Sequence, residues 1–276
     1  MPSRGKSGTL AVKSAKVSAK RRLNVDRRKG GEAAEKVRET KALQLARLAE
    51  QLEFESEEAC NWVCNWEFEL VARAEGSRLI AGVDEVGRGP LFGPVVAAAV
   101  ILPHDAELDG LNDSKQLSEE DRERFDARVR EVAVAWSVAE VDVRTIDRIN
   151  ILQASRLAMR LAVESLAHQP DHLLIDGNQR IDAVCRQTTI VQGDARSLSI
   201  AAASVIAKVH RDRLLCELDG RYPGYGLARN KGYSTPEHKA ALLRLGITEM
   251  HRRSFGPVAE LFEAEVEEID LEFRLE

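Results

Sequence analysis

From residue 76 onward, short apolar runs alternate with stretches whose large aliphatic residues recur every three or four positions, the pattern of a mixed sheet with helices on its faces. The runs 79–84, 94–102 and 132–141 predict strands. In "TIDRINILQASRLAMRLAVESLAH", the residues Ile146, Ile149, Leu152, Leu157, Leu161 and Leu166 fall at helical spacing and predict one helix. "HLLIDG" returns to a strand with Asp176 at its end, and "TTIVQGD" predicts another that ends at Asp194. Residues 197–219 predict a long helix and 224–232 a loop. Thr235 with Pro236 behind it then predicts a helix start, and Gly246 its stop. Ahead of this region, residues 31–75 contain no proline, and Leu43, Leu45, Leu48, Leu52 and Val63 are loosely periodic, which predicts a helical appendage.

Composition adds little to that outline, but charge does. The chain of 276 residues is 44% hydrophobic and 31% charged, values of a globular protein with a full core. No apolar run approaches the roughly 18 residues of a membrane span, so no membrane partner is expected. The net charge of -5 conceals an asymmetry: residues 1–30 carry ten Lys or Arg against the single acid Asp26, whereas 31–75 carry eleven Glu against five Lys or Arg. The basic segment has almost nothing to bury, so it is expected to be a disordered arm suited to nucleic acid, or a solvated tail. It also resembles an organelle transit peptide, but its aliphatics form no sustained amphipathic stripe, and a cytoplasmic location is expected. Cys60 and Cys64 are four apart and the other two cysteines, Cys185 and Cys216, are isolated, which fits packing in a reducing compartment better than a zinc site. The organisation expected is a basic tail 1–30, an appendage 31–75, a catalytic domain 76–258 and an acidic tail 259–276.

The chemistry lies in a contradiction. "LIAGVDEVGRGPLFGPVVAAAVIL", residues 79–102, places Asp84 and Glu85 inside an apolar run, where an unpaired carboxylate costs several kcal/mol unless it neutralises or holds a cation. Asp84, Asp176 and Asp194 each fall at the carboxyl end of a predicted strand, where ligand and catalytic groups gather in such sheets. Taken singly, Asp176 beside Gly177 and Asp194 behind Gly193 are ordinary turn chemistry. Taken with the buried pair, they predict an oxygen-only ligand set for a hard divalent cation, magnesium or manganese. Gly87, Arg88 and Gly89 follow at once and Pro90 stops the strand, so the backbone there can approach a ligand closely.

With "DSKQLS", "NILQASRLAMRLAV", "LIDGN", "GDARSLSIAAASVIAKVHRDR", "YPGYGLARNKGYSTPEH" and "HRRSFGPV" in the same order, the stretch 78–258 resembles bacterial ribonuclease HII. The resemblance implies an α/β fold of the RNase H-like kind, a five-stranded mixed sheet flanked by helices. It implies an endonuclease that cuts RNA paired with or joined to DNA, including single ribonucleotides in duplex DNA, on the 5′ side and leaving 3′-hydroxyl and 5′-phosphate ends. Position by position, Asp84, Glu85 and Asp176 match the family's metal ligands and Asp194 its fourth acid, with two Mg2+ or Mn2+ ions expected during catalysis. Asp212 is a candidate supporting group rather than a ligand.

The same resemblance assigns substrate contacts. Backbone groups of Gly87, Arg88 and Gly89 match the loop that reads the 2′-hydroxyl, the atom that separates RNA from DNA. Tyr233 matches the tyrosine that packs on the sugar at the RNA-to-DNA junction, and Lys115, Lys208 and Lys231 are candidates for phosphate contacts. Gln116 stands where the family often has a second lysine, and Asn230 falls at a position expected to vary. The sister subtype ribonuclease HIII shares the Asp-Glu pair, but it departs at the Gly-Arg-Gly block that is intact here. The expected partners are RNA–DNA hybrids and ribonucleotide-containing duplex DNA, bound by a monomer.

Overall fold

The computed structural model describes residues 64–263. The chain divides into two units, 1–61 and 62–276, and every described residue belongs to the second. The expectations for the basic arm, for most of the appendage and for the tail beyond 263 therefore fall outside the described residues.

The sheet is built around two strands that the sequence marks clearly. β1 (Ile80–Val86) and β2 (Val95–Ile101) pair antiparallel, and β2 is buried at all of its positions. Its side chains alternate between faces: Val95, Ala97, Ala99 and Ile101 enter one core cluster, and Val96, Ala98 and Val100 enter another. β3 (Ala135–Val141) continues antiparallel on the far side of β2. β4 (His172–Asp176) and β5 (Arg186–Ile190) run parallel to β1 on its other side, so the order across the sheet is β3-β2-β1-β4-β5. This is the five-stranded mixed sheet that the resemblance implies.

The helices show why so many core positions are alanine. Within α4 (Ile151–Glu164), Ala154, Ala158 and Ala162 face the sheet, whereas Leu152 is exposed. The single helix expected over 145–168 is two, because Asn150, at φ 66°, ends α3 (Val143–Ile149) and caps α4 by accepting from the N–H of Gln153. Large aliphatics had indicated the helix but not its buried face, which small residues form so that the helix can lie close to β2. On the opposite face, α5 (Leu198–Arg221) buries Ala201, Ala202, Ala203 and Ala207 against β2 and against α2 (Glu119–Val132), a helix the periodicity reading passes over. Closeness is extreme at Gly82, where a Cβ would stand 2.0 Å from the carbonyl carbon of Ser199, so only glycine lets α5 cross β1.

Two further elements position the site. α1 (Glu67–Ala74) supplies the buried Glu69, whose Oε1 accepts from the Ser197 hydroxyl (2.6 Å) and the Ser199 N–H (2.9 Å) at the positive end of α5. A short helix, α6 (Leu227–Asn230), occupies the expected loop and leads into α7 (Pro236–Leu245), which starts and stops where Thr235 and Gly246 predict. Helix resumes over 256–263 and crosses the expected domain edge at 258. Among the described residues, no helix is long and apolar enough to cross a membrane.

Candidate active site

Strand register brings the acids together. β1 and β4 are aligned through Val83 and Ile175, so the next residues, Asp84 and Asp176, stand side by side and point to the α5 face. Glu85 follows Asp84 as β1 ends. β1 runs on to Val86, so Asp84 is an interior strand residue rather than the last one. Asp194 departs further from expectation: β5 stops at Ile190, and Asp194 belongs to a 3-10 turn, Gly193–Ala195. Gln192, left-handed at φ 55°, turns the chain back so that this acid reaches the same place from a loop.

The cluster is electrostatically strained. Burial raises the Asp84 carboxyl well above the usual range, and the charges of Asp176, Glu85 and Asp194 push it further. Glu85 is raised by burial and by Asp176, with Arg88 opposing, and Asp194 is raised by burial and Asp176, with Lys115 opposing. Each acid has a protein partner. Asp84 Oδ1 accepts from the Glu85 N–H (2.7 Å), and Ser204, itself 2.9 Å from the Ser114 hydroxyl, bonds its carboxylate. Asp176 Oδ1 accepts from the Gly193 N–H (2.7 Å), Glu85 from Arg88 (3.1 Å), and Asp194 from Lys115 Nζ (3.2 Å). Against the desolvation of its ammonium, Asp194 and Asp113 hold Lys115 above its ordinary value. With the acids drawn to these partners, no three His, Cys, Asp or Glu side chains among the described residues are gathered tightly enough to hold an ion as they stand. Their chemistry nevertheless fits one: four mutually repelling carboxylates, Asp84 and Asp194 buried and Glu85 and Asp176 partly so, are the set a hard divalent cation would relieve. Cys64 lies near the same charges, and burial, Glu69 and Asp194 push its thiol up to about 12, so it stays protonated.

Beside the acids lie two loops laced together by backbone hydrogen bonds. The Leu91 N–H donates to the Gly232 carbonyl (2.8 Å), and a Cβ on Gly232 would stand 2.8 Å from the Phe92 oxygen. Underneath are two fully buried arginines, Arg211 and Arg252. Arg252 donates to the carbonyls of Gly87 (2.6 Å), Arg88 (2.9 Å) and Gly93 (3.0 Å). Arg211 donates to those of Phe92 (3.2 Å), Lys231 (3.0 Å) and Pro94 (3.3 Å). Burial pulls Arg211 down to about 10 and, with the charge of Arg211, Arg252 down to about 9, so both remain cations at neutral pH. Gly87, at φ +88°, has no room for a side chain, because a Cβ would meet the Arg211 guanidinium at 2.2 Å.

The remaining candidates divide. Tyr233 is 44% exposed, and its ring edge lies 3.7 Å from where a Gly89 Cβ would be, so the tyrosine stands against the Gly-Arg-Gly loop. Lys208 is paired with Asp212 (2.8 Å) and Lys231 reaches Cys216 Sγ (3.3 Å), so of the three lysines only Lys115 contacts one of the four acids. Asn230, expected to vary, is structural: it donates to the Tyr225 carbonyl (2.7 Å) and accepts from the Gly232 N–H (2.8 Å). The buried arginines and asparagine escaped sequence reasoning because a polar residue bound to backbone carbonyls leaves no periodic signal.

A family model described as Ribonuclease HII matches residues 81–258, more than half of the chain. The chain belongs to the ribonuclease HII family. It is 54% identical over 213 residues to Ribonuclease HII of Koribacter versatilis, covering 77% of this chain and 82% of the relative. It is 50% identical over 241 residues to Ribonuclease HII of Halalkalibacterium halodurans, covering 86% of each. Among solved structures, ribonuclease H2 from Pyrococcus horikoshii superposes with a TM-score of 0.58 at 26% identity, covering 68% of this chain and 98% of that one. Bst-RNase HIII in complex with Mn2+ shares the fold, with a TM-score of 0.55 at 22% identity, covering 70% of this chain and 72% of that one. As a member of that family, the chain is a type 2 ribonuclease H, an endoribonuclease acting on RNA–DNA hybrids.

Proposed function

We propose that this chain also incises duplex DNA at a single embedded ribonucleotide, cutting on its 5′ side and leaving a 3′-hydroxyl and a 5′-phosphate. The observation that carries the reading is the junction of two surfaces: the carboxylate floor meets a loop whose Gly87 and Arg88 carbonyls are turned inward onto Arg252. Arg88 and Gly89 are exposed on that loop, and their backbone would meet a 2′-hydroxyl, which both donates and accepts. Tyr233, seated against Gly89, offers its ring to the sugar that follows the ribonucleotide. Lys115, held between Asp194 and Asp113, places a positive charge at the edge of the floor where a phosphate would arrive.

Asp84, Glu85 and Asp176 are the proposed ligands of two Mg2+ or Mn2+ ions, with Asp194 as the fourth acid. When bound, such ions acidify an attacking water and stabilise charge on the leaving oxygen. The Mn2+ complex of Bst-RNase HIII supports a divalent cation on this fold. Neighbouring groups of the chain keep these ligands in place: Ser204 orients Asp84, and the Gly193 N–H orients Asp176. Cytoplasmic location and a monomeric state accompany the proposal.

A duplex carrying one ribonucleotide, incubated with the full chain and either Mg2+ or Mn2+, tests it. Incision on the 5′ side that stops on chelation is the expected result. Cleavage of long hybrids without incision at the single ribonucleotide would remove the finer substrate claim while leaving the family activity intact.

A further inference from the structure

His238 and His251 are buried, 0% and 1% exposed, beneath the loop that carries Tyr233. They pack with Phe92 and Tyr225: the Phe92 and His251 rings meet edge to face at 4.9 Å, and Tyr225 lies 5.1 Å from His251. Their hydrogen bonds form one directed chain. The Thr248 N–H donates to His251 Nδ1 (3.1 Å), so that nitrogen is unprotonated and the neutral ring carries its hydrogen on Nε2. His251 Nε2–H then donates to His238 Nε2 (3.3 Å), which fixes the remaining hydrogen of His238 on Nδ1. That Nδ1–H donates to the Tyr233 carbonyl (2.9 Å). Every ring nitrogen is used and only one arrangement of hydrogens satisfies them all. The chain ends on the backbone of the residue whose ring stands against Gly89.

We propose that the His238–His251 pair is a positioning device for Tyr233, holding its backbone so that the phenol ring is set for the sugar beside the ribonucleotide. The proposal rests on the reading of Tyr233 given above and adds the means by which the ring is aimed. Neither histidine touches substrate. His251 is anchored independently of Tyr233, through Thr248 and through the 91–93 segment that follows the Gly-Arg-Gly loop, where Phe92 bridges to His251 and the Gly93 N–H donates to Met250. The pair thereby ties the tyrosine and the glycine loop to a common support, so that the two sides of the recognition surface keep a fixed spacing.

The test is a double-mutant cycle on a duplex with one ribonucleotide, using the full chain with Mg2+. His238→Phe keeps the ring and loses the donor; we expect kcat/KM to fall about tenfold, chiefly through KM, the scale of one buried hydrogen bond. His238→Asn places an amide N–H where Nδ1–H stood and is expected to recover activity to within about threefold of the parent. His238→Gln places its amide toward His251 and is expected to behave like His238→Phe. In a Tyr233→Ala background all three are expected to differ by less than about twofold, since there is no ring left to aim. Equal losses in both backgrounds, or equal impairment of His238→Asn and His238→Gln, would overturn the proposal. Should thermal melting show that His238→Phe does not fold, the Asn and Gln pair decides. If Tyr233→Ala alone leaves kcat/KM unchanged, the role assigned to Tyr233 fails first; if it lowers kcat/KM and the His238 variants do not, only the positioning role fails.

Discussion

The two halves of the site are built on opposite principles. The carboxylate floor gathers like charges in a buried place, so that Asp84, Glu85 and Asp194 are all pushed above their ordinary values. The adjoining loops are held by the reverse device, in which the buried cations Arg211 and Arg252 and the neutral His238 imidazole are satisfied by backbone carbonyls at Gly87, Arg88, Lys231 and Tyr233. One half stores repulsion for a ligand to relieve; the other spends its hydrogen-bonding capacity on rigidity. Stability and activity should therefore respond in opposite directions when each is cut.

The largest effect is expected at the floor. Asp84→Asn or Asp176→Asn is expected to abolish turnover on a hybrid with Mg2+. Asp84→Asn should also raise Tm in the presence of chelator by roughly 2–4 °C for each 1 kcal/mol of repulsion removed. Calorimetry paired with a gel assay checks both signs at once, and near-parental cleavage would sink the ligand assignment. At the loops, Arg252→Met should do the contrary. It leaves three carbonyls without their donor, so urea denaturation should show a loss of about 3 kcal/mol, and KM should rise more than kcat falls.

Acid titration separates the halves more finely. Burial and the neighbouring His238 drive His251 down to about 3, and burial also lowers His238. A depressed histidine contributes stability that is complete above its unfolded pKa of about 6.5 and is lost as pH falls toward the folded value. The slope is up to about 1.4 kcal/mol per pH unit for each histidine. The raised carboxylates work in the other direction, since the folded chain holds protons that the unfolded chain has released, so they lose stability as pH rises. Without divalent ions, His251→Gln should flatten the decline of stability below about pH 6.5, and Asp84→Asn should steepen it. Equal slopes for the two variants would show that neither group governs acid stability. The smallest effect should come from the basic arm. If residues 1–30 make three to five phosphate contacts, a chain starting at Gly31 should show a plot of log affinity against log salt flatter by roughly 3 to 4, with kcat unchanged.

How much of this was legible in the sequence depended on what each residue contacts. β2 announced itself because both of its faces are apolar, and α7 because Thr235, Pro236 and Gly246 act locally, through the cap and the turn. The four acids were legible because charge is conspicuous in an apolar setting, although Asp194 reaches the site from a 3-10 turn instead of a strand end. The break at Asn150 was not legible, since the aliphatic spacing carries straight through it and only the left-handed backbone divides the helices. The support beneath the loops was hidden for a different reason. Arg211, Arg252, His238 and His251 carry no periodic signal in a linear chain; the arginines are buried on carbonyls far away in sequence, Phe92 for Arg211 and Gly87 for Arg252, whereas the histidines bond to each other and to near neighbours, Tyr233 and Thr248.

The contact between Gly82 and the backbone of Ser199 also bears on the order of synthesis. β1 emerges from the ribosome with Asp84 and Glu85 on it, yet the helix that must cross it, touching where no methyl group would fit, is made far later. At about 5–20 residues per second, the roughly 110 residues from Asp84 to Asp194 take about 5 to 20 seconds to translate, during which the strand has its acids but not its covering helix. A nascent chain truncated in that interval carries part of the acid set and lacks both Asp194 and the two buried arginines. On the proposed roles of these acids, a chain ending before Asp194 is expected to lack nuclease activity, whatever fold its first strands have reached.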